Sequence, residues 1–143
     1  MADRSQRWAP QQRARRRALQ ALYQWQITGQ DTSEIVVQFN ETQDFEGVDH
    51  ELFKTLVFGT AREAAELREW LEPAMHRPWD QCEVIERVAL LLGAWQLRND
   101  PNLPTEVILD ESTDLAKRFG SENGHAYVNA VLNRLAKPDA GAS

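Results

Sequence analysis

Residues 105–137 read TEVILDESTDLAKRFGSENGHAYVNAVLNRLAK. Thr105 can cap a helix, after which Ile108, Ser112, Leu115 and Phe119 recur at three- and four-residue steps, with Leu109 and Ala116 beside them. Gly120 stops that stripe. Ser121 can cap a second helix built on Val128, Val131, Leu132 and Leu135, which ends before Pro138. Each segment carries one apolar stripe and one polar face, the pattern of helices that bury one side against neighbours.

The same period runs upstream. A stretch with Ile85, Val88, Ala89, Leu92 and Trp95 on one face, widened by Leu90 and Leu91, predicts the most buried helix of the chain. Asp80 and Glu83 have capping-box spacing at its start, and residues 99–104 form a loop. The two prolines in 73–79 read as a joint. Before it, a long helix is expected over about 50–72, capped by Asp49, with Phe53, Leu56, Val57, Thr60, Ala64, Leu67 and Leu71 as its buried stripe. A short helix is expected over about 32–43 behind Asp31. The first spans about 11–28, from Pro10 to Gly29, with Ala14, Ala18, Ala21, Leu22 and Trp25 on its buried face. No convincing strand alternation appears. The expected class is all-α: two small three-helix bundles packed together, an N-terminal half at about 11–72 and a C-terminal half at about 81–138, joined at 73–80. Residues 1–10 are expected to form a flexible basic arm and 139–143 a disordered tail.

The 143 residues are 42% hydrophobic and 27% charged, enough for a core without disulfide or metal. The single cysteine, Cys82, excludes an intramolecular disulfide and fits a reducing cytoplasm. No apolar run approaches a membrane span, and no apolar region follows the basic N-terminus as in a signal peptide. Residues 1–17 hold six arginines against one acid, +5; the rest carries ten basic and twenty-one acidic residues, −11, giving the net −6. A basic end on an acidic body points to a polyanion bound at one end.

Catalytic signals are missing. No phosphate-binding glycine loop occurs, and His50, His76 and His125 lie far apart in sequence. No enzyme activity, cofactor or metal is expected. Cys82, in a first helical turn by this reading, has flanking acids that oppose a thiolate. The strongest functional signal is Arg13, Arg15, Arg16 and Arg17 at the start of the first helix, where positive charge opposes the helix dipole. Clustered guanidinium groups fork onto phosphates and stack on bases. Tyr23 lies at the edge of the same polar arc. Lys117 and Arg118, followed by the turn 120–124 and by Tyr127, form a second candidate site for an anion.

Three segments are similar to one family. Arg15–Gln26 (RRRALQALYQWQ), Ile85–Leu97 (IERVALLLGAWQL) and above all Ile108–Lys137 resemble the NusB transcription antitermination family, in order and with compatible spacing over about 11–138. The resemblance implies a NusB-like fold of two three-helix bundles. It implies binding to the boxA element of ribosomal RNA operon leader transcripts, with NusE, a small-subunit ribosomal protein, as partner in an antitermination complex on RNA polymerase. A homodimer is a further assembly it allows; a membrane is not implied. Carried over by position, RNA contacts are expected at Arg13 and Arg15, extended by Arg16 and Arg17, and around the turn 121–127, with Asn123 and Tyr127 in it; the anion-site reading adds Lys117 and Arg118 beside that turn. Partner contacts are expected at Tyr23 and Glu86.

The chain departs from the family pattern at Asn123 for an acid, Tyr127 for phenylalanine, Leu91 for arginine and Gln96 for glutamate. Loss of the acid at 123 predicts equal or tighter RNA binding. Two alternatives compete. One is a helical interaction module that never touches RNA. The other is an RNA-guiding module like the NusB-like domain of ribosomal RNA methyltransferases, disfavoured because these residues hold no methyl-donor-binding domain or catalytic cysteine motif.

Overall fold

The computed structural model describes residues 8–137. Most of the expected flexible arm and the whole of the expected tail therefore lie outside the described residues. Those described form seven helices and no strand: α1 Ala9–Thr28, α2 Thr32–Thr42, α3 His50–Arg62, α4 Ala64–Leu71, α5 Val84–Asn99, α6 Thr105–Phe119 and α7 Gly124–Ala136. Glu72–Ala74 and Trp79–Gln81 are single 3₁₀ turns. The all-α expectation is met. The chain divides into two compact units, 1–61 and 62–143.

In the first unit, α1 starts with Pro10 in its first turn and ends at Gly29, whose φ of 70° lets its N–H reach the Trp25 carbonyl. Asp31 caps α2: the Ser33 hydroxyl donates to its Oδ1 at 2.6 Å and the Ser33 N–H at 2.8 Å, and together they hold the carboxyl below its usual range. Asp49 caps α3 by accepting from Leu52 N–H at 3.0 Å. Phe53 is fully buried, stacked on Phe39 at 6.0 Å and edge-on to Phe45 at 5.0 Å. The loop between α2 and α3 lies against α1, where Asp49 N–H donates to the Pro10 carbonyl at 3.0 Å.

The second unit packs α5, α6 and α7 against one another, with α4 against α5 and α7. Nine of the sixteen residues of α5 are buried against six of twenty in α1, so the expectation for this segment holds. Gly93 lies where three helices meet. A Cβ there would stand 2.6 Å from Leu132 Cδ1 and 2.8 Å from the buried Ser112 Oγ. Gly93→Val is therefore expected to cost about 1–3 kcal/mol in urea unfolding. A loss below about 0.5 kcal/mol, within the range of a neutral surface change, would show that the helices part freely at this point.

Three boundaries differ from the sequence expectation. The helix expected over 50–72 is interrupted at Glu63, although no breaker lies there. Trp95 Nε1 donates to Glu63 Oε2 at 2.9 Å, and Arg98 pairs with Glu66 at 3.1 Å, so α4 is tied to α5 in the second unit. The capping box of α5 is Glu83 with Glu86, not Asp80 with Glu83, because 79–81 are consumed by a 3₁₀ turn. Asn123, rather than Ser121, stands at the N-cap of α7.

Candidate nucleic-acid interface

Helix geometry divides the arginine cluster. Arg13 and Arg17 are one turn apart and both face the α2–α3 loop, Arg13 donating to the Gly47 carbonyl and Arg17 to that of Asp44, each at 3.1 Å. Gly47 has φ 74°, which favours glycine; a Cβ on it would also meet Arg13 Nη1 at 2.6 Å and push that side chain off the loop. Arg16, half-buried, points along a different line, and Tyr23, 40% exposed, follows it two turns later on nearly the same bearing. Arg13, Arg16, Arg17 and Tyr23 are thus adjacent on the first unit.

Arg15 is corrected: only 5% of it is exposed, so it does not project with the others. It shares a line with the buried Leu19 and Leu22, four and seven residues on. That spacing was present in the sequence and outweighs the basic character of the cluster. Its aliphatic stem lies in the core side of α1, as long cationic side chains do.

The second set lies on the second unit. Lys117 and Arg118 are exposed in the last turn of α6, Arg118 within 3.7 Å of Asp114. Asn123 is exposed and makes no capping hydrogen bond, leaving its amide for other contacts. Tyr127 is half-buried. Its hydroxyl accepts the Arg77 N–H at 3.4 Å, and its ring lies 4.0 Å under the Arg77 guanidinium. Burial pushes the Tyr127 phenol up, so it stays protonated.

Glu86 is the second correction. It is 2% exposed and cannot present a carboxylate to a partner in this conformation. It closes the α5 capping box and accepts a fork from Arg77, with Nη2–Oε2 at 3.1 Å and Nη1–Oε1 at 3.4 Å. The pairing raises the Arg77 guanidinium further above its ordinary range. Oε2 also lies under the start of α7, 3.0 Å from where a Gly124 Cβ would stand, so an acid sits at the positive end of that helix. The signal was available: Glu86 is in register with buried Ala89, Leu90 and Gly93. Arg77, by contrast, was missed. Its partners lie nine and fifty residues away, beyond any local pattern.

Cys82 precedes α5 instead of lying in its first turn. Burial pushes its thiol up, and Sγ donates to the Pro78 carbonyl at 3.6 Å. At mildly alkaline pH, alkylation should be at least roughly tenfold slower than in the urea-unfolded chain. Because the thiol ionises first in the unfolded state, stability is expected to fall as pH rises through the ordinary thiol range. Equal alkylation rates would show that the site opens. Leu91 and Gln96 are both buried, and Gln96 Nε2 donates to the Leu92 carbonyl at 3.1 Å, so both substitutions face the interior. Among the described residues, no group of three or more acid, histidine or cysteine side chains is placed to hold a metal. No helix there is long and apolar enough to cross a membrane.

Described residues that are all-helical, with a cationic face on one helix and, elsewhere, an arginine from the proline-rich joint packed on a tyrosine ring of α7, have the makings of a nucleic-acid-binding protein. Residues 12–137 match the NusB family, and the chain belongs to it. It is 43% identical over 125 residues to the transcription antitermination protein NusB of Nitrosococcus oceani, covering 87% of this chain and 84% of that one. Against the protein of the same name from Xanthomonas axonopodis pv. citri it is 44% identical over 135 residues, 92% and 85% of the two chains. The fold matches T. maritima NusB with a TM-score of 0.80 at 27% identity, over 92% and 93% of the chains. It matches a chain from a crystal structure of the antitermination factors NusB and NusE in complex with double-stranded RNA with a TM-score of 0.77 at 26% identity, over 90% and 97%.

Proposed function

We propose that this chain is an RNA-binding transcription antitermination factor. With NusE it binds the boxA element of ribosomal RNA operon leader transcripts and joins an antitermination complex on RNA polymerase. The observation that carries this function is family membership along nearly the whole described chain, shared with relatives named for antitermination. Residues 11–138 work as one NusB-like domain in the cytoplasm, by binding and without catalysing a reaction. Arg16, with Arg13 and Arg17 beside it, supplies phosphate contacts, and Tyr23 borders them on the partner side. Asn123, Lys117 and Arg118 supply polar and cationic contacts around the α6–α7 turn, next to Tyr127.

The test is a titration of the protein with a short boxA RNA and a scrambled RNA, with and without NusE, at two salt concentrations. The expected result is preference for boxA, strengthened by NusE and weakened by salt. Equal, weak binding to both RNAs under all conditions would overturn the assignment in favour of a protein-interaction module.

A further inference from the structure

One face of the Tyr127 ring is covered in the structure. Arg77 lies over it at 4.0 Å, and the guanidinium is held by the two oxygens of Glu86. The Arg77 side chain is nevertheless 40% exposed. With the ring on one side and the carboxylate bonded to Nη1 and Nη2, a side chain this exposed keeps surface on which a ligand can pack. A planar cation fixed in this way costs little entropy to use, because its rotamer is already chosen. Its charge is balanced by Glu86, so it is poorly suited to neutralising a phosphate and well suited to stacking.

We propose that Arg77 is a further RNA-contacting residue: its guanidinium, held on Tyr127 by Glu86, stacks on an unpaired base of the bound RNA. Arginine planes and aromatic rings are the usual stacking surfaces for bases of single-stranded RNA. Arg77 is thus the outer layer of a platform of which Tyr127 is the inner layer. The proposal rests on the RNA-binding function above, and its experiment separates the two.

The variant is Arg77→Lys, which keeps the charge and a hydrogen bond to Glu86 but removes the planar face. Affinity for boxA RNA with NusE is measured over a salt series for the parent, Arg77→Lys and Arg16→Ala. A parallel set of RNAs carries 2-aminopurine at successive boxA positions to report stacking. Arg77→Lys is expected to weaken binding roughly tenfold with an unchanged salt slope, and to abolish the fluorescence change at one position. Arg16→Ala is expected to reduce the slope by about 0.7. If the parent binds boxA and Arg77→Lys stays within twofold of it, the platform is refuted while the function stands. A reduced slope for Arg77→Lys would make the contact a phosphate contact and also refute it. A parent without boxA preference removes the function and the proposal together.

Discussion

Replacing Arg13, Arg16 and Arg17 together by alanine is expected to lower boxA affinity roughly a hundredfold at low salt and to flatten the salt slope by about 2. Each arginine that neutralises a phosphate releases counterions, with about 0.7 in slope per contact on a single strand. The three do not act alike. The hydrogen bonds to the α2–α3 loop come from Arg13 and Arg17 rather than Arg16, whose loss should remove one phosphate contact's share. Arg13 and Arg17 each hold a loop carbonyl at 3.1 Å, so the double variant Arg13→Ala/Arg17→Ala also frees residues 44–47. Those exposed hydrogen bonds carry about 1 kcal/mol each at most, so the triple variant still folds, as circular dichroism should verify. Affinity within twofold of the parent at low salt would remove this face of α1 from the RNA site. Arg15 is left out because it is buried; Arg15→Ala should show itself in stability before it shows in the salt slope.

Arg77→Ala is the second large effect, and it falls on stability. The variant leaves the Glu86 carboxylate almost wholly buried without its counter-ion. Breaking a buried pair from one side costs about 3–5 kcal/mol. Arg77 is itself 40% exposed, so part of its charge is solvated already, and about 2–3 kcal/mol in urea unfolding is the expected loss. The cause can be isolated. Adding Glu86→Gln to Arg77→Ala removes the stranded charge but keeps an oxygen for the Glu83 N–H that Glu86 accepts at 2.8 Å. The double variant should recover at least half of the loss, a coupling that a simple loss of packing would not produce. A single-variant loss below about 1 kcal/mol would mean that water reaches Glu86 once Arg77 is gone.

Most helices were legible because their signals are local. Gly29 ending α1, Asp31 and Asp49 capping α2 and α3, and the stripes of α5, α6 and α7 depend on residues within a turn of one another. The cationic face of α1 was legible for the same reason, and so was Tyr23 at its edge. Two site residues misled. Arg15 was read as part of a charged cluster and Glu86 by its match to the family's acid, whereas their registers with Leu19 and Leu22, and with Ala89, Leu90 and Gly93, put them inside.

Composition, charge segregation, the helical period and the family-like segments are properties of the chain by itself, and they determined an all-α protein with a basic helix at one end. Tertiary structure decided what depends on distant partners. The break at Glu63 has no local cause; its carboxylate is engaged by Trp95, thirty-two residues on. Arg77 looks like any cation in a proline-rich joint until Tyr127, fifty residues away, lies beneath it. A side chain's propensity acts over one turn, whereas burial and ion pairing act wherever folding places the partner, and at Glu63, Glu86 and Arg77 the second outweighs the first.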